Sequence, residues 1–305
     1  MTEKRFGFIA VIGPPNAGKS TLSNALVGQK VAIVTHKAQT TRARLRAVVM
    51  HEQSQVVLVD TPGIFSGEKK LDKAMVQEAW SGAEEADAVF VVLDASRALP
   101  AETELVLAGV KNTSKPVILV LNKVDAVKRE KLLELTQQLN EAAKFTDTFM
   151  VSALKETGLE ELKSYLAQLV PEGLWHYPED MAADVPSLLL AAEVTREKLF
   201  LRLHQELPYA LTVETESWKR QKDSSVRLEQ VIFVRRDSQK AIVLGKRGQS
   251  IREIGSQARL EMEDIFGHKV HLFLFVKVRD NWIDDPERYR MMGIDYAGVV
   301  NAMER

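Results

Sequence analysis

One run of eight residues restricts the possible folds of this chain more than any other: Gly13-Pro-Pro-Asn-Ala-Gly-Lys-Ser20. It directly follows an apolar run, Phe6 to Ile12, and precedes a helical stretch from Thr21 to Val27. The spacing is that of a phosphate loop, whose glycines let backbone N–H groups turn inward around phosphate oxygens at the start of a helix. A strand, a loop and a helix in this order predict an α/β fold.

Two side chains of this loop carry specific chemistry. Lys19 would neutralise the β and γ phosphates of a nucleotide, and Ser20 would supply its hydroxyl to Mg²⁺. The loop alone predicts only that a nucleoside triphosphate binds, and a structural glycine turn is the alternative. We assign these residues to the nucleotide site: Gly13, Pro14, Pro15, Asn16, Ala17, Gly18, Lys19, Ser20 and Thr21.

From Arg5 to about Val170, short β-rich runs alternate with helical patterns, which predicts a mostly parallel sheet with crossover helices. Six strands are expected: Phe6 to Ile12, Leu45 to Met50, Gln55 to Asp60, Ala88 to Asp94, Pro116 to Leu121 and Asp147 to Val151. The second candidate is joined to the third by the short turn His51–Ser54, so we expect one antiparallel hairpin at a sheet edge.

The tetrapeptide Asn122-Lys-Val-Asp125 follows the fifth strand and discriminates between purines. Asp125 can accept hydrogen bonds from the guanine N1–H and amine, whereas adenine would leave this buried carboxylate without a partner. Asn122 would support the base edge, and Lys123 would lie along the base face. The amides of residues 152–154 can reach guanine O6, although such a tripeptide is also a common helix-entry turn. We assign these residues to the GTP site: Asn122, Lys123, Val124, Asp125, Ser152, Ala153 and Leu154.

The third strand ends in Asp60-Thr-Pro-Gly-Ile64. Asp60 can hold Mg²⁺ through water, and the Gly63 amide can sense the γ phosphate, while the alternative is a Pro-Gly turn that caps a buried strand. Ile64 occupies the place where many regulatory GTPases have a glutamine that orients water. Slow hydrolysis is therefore expected, resting on Mg²⁺, Lys19 and backbone dipoles. This segment adds Asp60, Thr61, Pro62, Gly63 and Ile64 to the GTP site.

The polar segment Lys37-Ala-Gln-Thr-Thr-Arg42 lacks hydrophobic periodicity. A threonine here could ligate Mg²⁺ only while the γ phosphate is present, which predicts an order/disorder switch. We favour Thr41 over Thr40 as this ligand, and an exposed loop without nucleotide contact remains an alternative. The predicted catalytic residues are Lys19, Thr41 and Gly63, and the predicted Mg²⁺ ligands are Ser20, Thr41 and Asp60.

Asn16 offers a further cation site within the phosphate loop. Its side chain could share a K⁺ ion with the phosphates and so place positive charge where negative charge develops during hydrolysis. A hydrogen bond that shapes the loop is the alternative, and the sequence slightly favours it.

The second half of the chain has a different pattern. Prolines and acidic residues interrupt it between Pro171 and Pro186, so we place a GTPase domain at 1–171, a linker at 172–185, a second domain at 186–296 and a tail at 297–305. The second domain starts with a long helix, Ser187 to Glu206, and its elements follow the order α-β-β-α-α-β. Gly245-Lys-Arg-Gly248 joins two of its helices. The following helix places apolar side chains on one face: Ile251, Ile254, Ala258, Met262 and Ile265.

The glycines of this loop let its backbone approach another backbone, and the two cations between them would meet phosphates. A lone GxxG also marks ordinary helix ends, but the element order resembles a type II KH domain, whose GxxG loop clamps single-stranded nucleotides. We assign these residues to RNA: Gly245, Lys246, Arg247, Gly248, Arg235 and Arg252. For Phe273 and Phe275 on the last strand we favour core or interface packing over base stacking.

Taken together, these motifs resemble the Era family of GTPases over nearly the whole chain. The supporting segments are the loop at 13–20, Gln39-Thr-Thr-Arg42, Asp60 to Ile64, Asn122 to Asp125, Ser152-Ala153 and the GxxG loop. The resemblance implies GTP hydrolysis, binding near the 3′ end of 16S rRNA, maturation of the 30S subunit and peripheral contact with the inner face of the membrane. A membrane-docked regulatory G protein, whose basic domain meets lipid, is the alternative.

Composition limits partners and compartment. The 305 residues exceed one ordinary core, which favours two domains. The chain has no cysteine, which excludes disulfides and thiolate chemistry and fits a reducing cytosol. A net charge of −1 requires any nucleic-acid surface to be local. No run could span a bilayer and no cleavable signal is visible, so we expect a cytoplasmic protein. We also expect a monomer.

Overall fold

The structure is a computed structural model that describes residues 3–37, 45–65, 70–204 and 207–280. It divides into two compact units. Among the described residues, the first runs to Asp184 except for Ile33–Lys37, and the second combines Ile33–Lys37 with residues 185–280. Thr40, Thr41 and the tail at 297–305 lie outside the described residues.

The first unit is a seven-stranded sheet in the order β6-β5-β4-β1-β3-β2-β7. Its strands are β1 Arg5–Ile12, β2 Leu45–His51, β3 Ser54–Asp60, β4 Ala88–Asp94, β5 Val117–Asn122, β6 Asp147–Met150 and β7 Ala183–Asp184. All six predicted strands are present. The predicted hairpin is confirmed, because β2 pairs antiparallel with β3, whereas β3, β1, β4, β5 and β6 pair in parallel.

Five helices cover the two faces of this sheet: α1 Lys19–Val27, α2 Lys70–Glu85, α3 Glu102–Val110, α4 Arg129–Ala142 and α5 Leu159–Leu169. Side chains alternate along each strand, so Ile9 and Val11 belong to one core and Ala10 and Ile12 to the other. Helices α1 and α5 pack in the first core, and α2, α3 and α4 pack in the second. The central strands contain nearly continuous apolar runs, at 56–59, 88–93 and 117–121, because both of their faces are buried.

The segment assigned to a linker packs along the first unit. The buried Gln55 side chain accepts hydrogen bonds from the backbone N–H groups of His176 and Tyr177, both at 3.0 Å, and donates to the Tyr177 carbonyl at 2.8 Å. Strand β7 then pairs antiparallel with β2. The expectation of six strands was therefore one strand short, because Pro178 and Pro186 flank β7 without entering it.

The second unit is a three-stranded sheet, β10-β9-β8, with helices on one face. Its elements are α6 Ser187–Arg202, β8 Leu211–Arg220, β9 Val226–Val234, α7 Asp237–Leu244, α8 Gln249–Phe266 and β10 Val270–Val278. The predicted apolar face of α8 is confirmed, since Ile254, Ala258 and Met262 are buried. No helix among the described residues is both long and apolar enough to cross a membrane.

Core packing is the wrong interpretation of Phe273 and Phe275, which are 40% and 48% exposed, and interface packing stays a prediction. Because side chains alternate along β10, these two rings point away from the helices, while Leu274 and Val276 pack into the core beneath them.

Candidate nucleotide site and nucleic-acid loop

The phosphate loop joins the end of β1 to the start of α1, as the sequence predicts. Gly18 immediately precedes the helix with φ 92°, a backbone conformation that side chains rarely adopt. A Cβ on Gly18 would lie 2.3 Å from Asn122 Nδ2. The glycine is therefore required both by the backbone conformation and by the close approach of the base-recognition loop.

Lys19 and Asp60 are buried charges at the centre of the site. Lys19 Nζ donates to the carbonyl oxygens of Gly13 and Pro14, at 3.1 and 3.0 Å. Burial lowers the pKa of Lys19 to about 8, and Asp60 partly opposes this effect. Burial likewise raises the pKa of Asp60 to about 6, against the influence of Lys19 and Ser20. Both charged forms are thus disfavoured by the protein interior.

The side chains of Ser20 and Asp60 fit a magnesium ion. Ser20 Oγ donates to Asp60 Oδ2 at 2.7 Å, which brings two of the three predicted ligands together at the start of α1. Asp60 Oδ1 is buried and has no hydrogen-bond partner among the described residues. A buried carboxylate oxygen without a partner is unusual, and hard oxygen donors are the ligands that Mg²⁺ prefers.

Asn122 holds three loops together from the end of β5. Its side chain is buried, and Nδ2 donates to the Ala17 carbonyl of the phosphate loop at 3.0 Å. Oδ1 accepts from the Lys123 N–H at 2.8 Å and from the Ala153 N–H at 3.1 Å. The phosphate loop and both base-recognition segments are therefore brought together through one amide. The Ala153 N–H, expected to reach guanine O6, already has this partner.

Asp125 lies on a 3-10 turn, Val124–Ala126, and its side chain is exposed. The expectation of a buried carboxylate was therefore wrong, because this turn stands outside the core beyond the carboxyl end of β5. Ser152 Oγ donates to Asp125 Oδ1 at 2.6 Å, which fixes the carboxylate beside the 152–154 segment. In the same segment the Leu154 side chain is 75% exposed.

The segment after β3 has mainly structural contacts. Thr61 Oγ1 donates to the Val11 carbonyl at 2.8 Å, and the Ile64 N–H donates to the Gly13 carbonyl at 3.0 Å. The Ile64 side chain is only 1% exposed and lies in the core with α2 and α3. Gly63 approaches the phosphate loop, since a Cβ there would lie 3.0 Å from Pro15 N. Ile64 thus anchors the segment in the core.

Asp94 belongs to the candidate nucleotide site, although the sequence analysis did not assign it there. It is the last residue of β4 and stands in register with Asn122 of β5. Its Oδ2 accepts from Lys123 Nζ at 2.7 Å, and the same ammonium donates to the Asn16 carbonyl at 2.8 Å. A signal for it existed, because a polar residue at the carboxyl end of a parallel strand lies at the ligand edge of the sheet.

The GxxG loop forms a 3-10 turn, Lys246–Gly248, between α7 and α8. Lys246 and Arg247 are exposed, and Arg247 has a φ of 53°. Arg235 and Arg252 are also exposed, although the Arg235 guanidinium lies 3.9 Å from the Asp280 carboxylate. The loop thus presents two adjacent cations at the N-terminal end of an 18-residue helix, an arrangement that favours phosphate contacts.

Comparison with known families agrees with both halves of this description. A family described as "50S ribosome-binding GTPase" matches residues 8–123, and a KH domain family matches residues 206–283. The protein has a P-loop GTPase domain followed by a KH domain.

Curated relatives match almost end to end. The chain is 56% identical over 292 residues to GTPase Era of Sinorhizobium medicae, covering 96% of this chain and 94% of that protein. It is 57% identical over 290 residues to GTPase Era of Mesorhizobium japonicum, covering 95% and 94%.

Two solved structures have the same fold with a TM-score of 0.89 and 37% identity, each covering 95% of this chain and 99% of the other. One is a single-residue variant of Aquifex aeolicus Era bound to GDP·AlF₄⁻, and the other is Era with MgGDPNP and nucleotides 1506–1542 of 16S ribosomal RNA. The close identity, the full coverage and the two domains in this order establish the assignment: the chain belongs to the Era family of GTPases.

Proposed function

We propose that this protein is a GTP-hydrolysing switch that binds the 3′ end of 16S rRNA and acts in assembly of the 30S subunit. The observation that carries the RNA part is the GxxG loop, whose Lys246 and Arg247 are exposed at the start of α8. Support for the RNA class comes from the Era relative whose structure contains a 16S rRNA fragment. We further propose that the protein acts as a cytoplasmic monomer.

The hydrolytic site would hold Mg²⁺ with Ser20 and Asp60, and Thr41 remains our predicted third ligand. When bound, the ion supplies charge that stabilises the phosphoryl oxygens. Lys19 would donate to the β and γ phosphates. Because the Ile64 side chain is buried in the core, no side chain at that position orients water, and we expect a slow intrinsic rate.

Potassium is our proposed second cation. Asn16 has a φ of 63°, and no described residue hydrogen-bonds to its side chain, which weakens the loop-shaping alternative. Hydrolysis should therefore be faster in KCl than in NaCl at equal ionic strength, and Asn16→Ala should remove the difference. Equal rates of the wild-type protein in the two salts would refute the potassium site.

Coupling between nucleotide and RNA would start at Ile33–Lys37, which belongs to the second unit. The Val34 N–H donates to Glu197 Oε1 of α6 at 2.7 Å. Lys37 Nζ donates to the main-chain oxygens of Phe200 and Leu203 at the end of α6, the latter at 2.7 Å. A lysine suits this place because the carbonyls of a last helical turn lack helical partners. The predicted switch threonine, Thr41, follows four residues later in the chain.

Helix α6 is also tied to the helix that follows the GxxG loop. Arg202 pairs with Glu253 in the first turns of α8 at 2.6 Å, and Lys198 pairs with Glu261 further along it. We propose that ordering of the switch segment by GTP changes the contacts between Lys37 and the end of α6. The resulting movement of α6 would then reach α8 through the two ion pairs. Lys37→Met should then make RNA affinity equal in GTP and GDP. Lys222→Met, in the exposed β8–β9 turn, is the matched control, and a persistent nucleotide effect in Lys37→Met would refute this route.

RNA sequencing after crosslinking tests the partner, and the structure selects the variant. Gly248→Asp places a carboxylate in the loop, and a Cβ there meets nothing within 4 Å. Gly245→Asp is less suitable because its Cβ would lie 2.6 Å from Ser250 Cβ. Gly267→Asp is the control, since Gly267 ends α8 with φ 68° against 75° at Gly248, and its Cβ also has open space. Loss of a 16S crosslink in Gly248→Asp alone supports the proposal, and equal crosslinking in both variants refutes it.

Peripheral contact with the inner face of the membrane is the remaining proposal. The same exposed cations could meet anionic lipid headgroups, which would make the protein a membrane-docked G protein. Flotation of the Gly248→Asp and Gly267→Asp variants with anionic vesicles distinguishes the two partners. Loss of flotation without loss of the rRNA crosslink would favour lipid.

A further inference from the structure

Asp94 is a buried carboxylate whose two oxygens are both engaged at the edge of the nucleotide site. Its side chain is 4% exposed. Oδ1 accepts hydrogen bonds from the N–H and the hydroxyl of Ser96, at 2.9 and 2.5 Å. Oδ2 faces Lys123 Nζ at 2.7 Å and Arg97 Nε at 3.1 Å. A buried charge with this many partners is held in one orientation.

Lys123 extends from Asp94 across the phosphate loop. Its backbone is left-handed, with φ 64°. Its Cε passes 3.8 Å from the point where a Cβ on Gly18 would lie, and its ammonium reaches the Asn16 carbonyl at 2.8 Å. The aliphatic part of Lys123, predicted to lie along the base, is thus fixed at its far end by a carboxylate and a carbonyl.

A free lysine side chain would not hold this position on its own. Ordering its rotatable bonds costs conformational entropy, and a carbonyl alone is a weak partner for an ammonium ion. Burial raises the pKa of Asp94, but hydrogen bonds from Lys123 and Ser96 outweigh burial and hold the pKa below its usual range. The carboxylate is therefore ionised at neutral pH and available to the ammonium.

We propose that Asp94 is a positioning residue of the nucleotide site, which acts through Lys123 to hold the base-recognition loop at a fixed distance from the phosphate loop. This inference rests on guanine nucleotide binding at the site described above. Removal of the Asp94 charge should weaken the binding of GDP and GTP equally, because both nucleotides would contact the same two loops. Discrimination against adenine should be unchanged, because Asp125 is not touched.

Titration with a fluorescent GDP analogue, displaced by GDP, GTP or ATP, tests this role. Asp94→Asn removes the charge with little change of shape and should weaken GDP and GTP alike by about 10-fold, the loss of one charge-assisted contact. Arg97→Met is the control, because Arg97 contacts the same carboxylate from a 49% exposed position, and it should change affinity less than about 2-fold. Unfolding of each nucleotide-free variant monitors its folding.

A double-mutant cycle with Lys123→Met separates positioning from a general loss of stability. If Asp94 acts through Lys123, Asp94→Asn should add little to the weakening already caused by Lys123→Met. Additive losses, or unchanged affinity in Asp94→Asn, would overturn the proposal. If Asp94→Asn unfolds, the Lys123→Met variant is measured alone. Equal weakening of GDP and GTP binding in Lys123→Met supports the proposal, and unchanged affinity of this variant for both nucleotides overturns it. Wild-type protein that fails to bind GDP would instead refute the nucleotide site itself.

Discussion

Gly18→Ala tests the geometry of the nucleotide site most directly, because its effect on stability and nucleotide binding depends mainly on one contact. The new Cβ would lie 2.3 Å from Asn122 Nδ2, a distance that real Cβ atoms do not tolerate. The Asn122 side chain must therefore move. It then loses its three hydrogen bonds, to the Ala17 carbonyl and from the N–H groups of Lys123 and Ala153.

The magnitude follows from these contacts. Three hydrogen bonds at about 1 kcal/mol each give about 3 kcal/mol. Holding alanine at the left-handed φ of 92° adds about 1–2 kcal/mol to the loss of folding free energy. Nucleotide binding needs the Asn122 contacts restored, so the first contribution should also appear in binding, as a loss of about 100-fold in GDP affinity.

Gly28→Ala provides a matched control for backbone strain. Gly28 ends α1 with φ 83°, but a Cβ there meets nothing within 4 Å. This variant should lose about 1–2 kcal/mol of unfolding free energy and keep its GDP affinity. Chemical denaturation without nucleotide and calorimetric titration with GDP measure the two quantities.

The double variant Gly18→Ala, Asn122→Ala decides whether the clash is the cause. Without the Asn122 amide the new methyl group clashes with no side chain. The double variant should therefore lose about 3 kcal/mol less unfolding free energy than the sum of the losses in the two single variants. Simple additivity of the two losses would refute the reasoning, and so would GDP binding by Gly18→Ala at nearly wild-type strength.

Three further predictions follow from buried or specific groups. Lys19→Met removes a lysine whose pKa is lowered to about 8 by burial. As the pH rises from about 8 to 9.5, the unfolding free energy of the nucleotide-free wild-type protein should increase by about 1.5 kcal/mol relative to that of the variant. The sign is positive because the folded wild type binds fewer protons than the unfolded chain in this range, and denaturation at several pH values checks it. Asp125→Asn should weaken GTP at least about 100-fold and favour xanthosine triphosphate, measured by competition; unchanged GTP affinity would contradict guanine selection. Ile64→Gln should bury an amide without partners, lowering unfolding free energy by about 1–3 kcal/mol without faster hydrolysis in a phosphate-release assay.

The sequence predicts best where a short motif determines its own structure. The phosphate loop and the residues that follow β5 lie where their spacing placed them, since each depends on a strand end and the next few residues. Asp125 was misjudged because burial depends on neighbouring segments, and its turn extends beyond the core. Asp94 was missed because its importance comes from pairing with Lys123, which directly follows the neighbouring strand β5. One segment of sequence alone does not show which strands are neighbours.

The edge of the first sheet shows a different limit of sequence reasoning. The prolines between Pro171 and Pro186 correctly argue against a helix or a long strand, yet two residues between them suffice to pair with β2. What holds the preceding backbone is Gln55, a buried amide that directly precedes the apolar run 56–59 of β3. Gln55 offers both a donor and acceptors to the chain that passes it, a role that becomes visible only when the distant segment is in place.

We expect the protein to sense the bound nucleotide first at Lys19 and Asp60. The contacts made by Asn122 and Lys123 join protein groups to one another. We therefore expect them to preform the predicted base site and to change little with the number of phosphates. Lys19 and Asp60 differ, because burial lowers the pKa of one and raises that of the other, which means that each charge is poorly compensated by the protein. Phosphate oxygens and a divalent cation are the groups that relieve this imbalance. The γ phosphate should therefore act first on the Ser20–Asp60 contact and the adjoining Gly63, and reach the base site last.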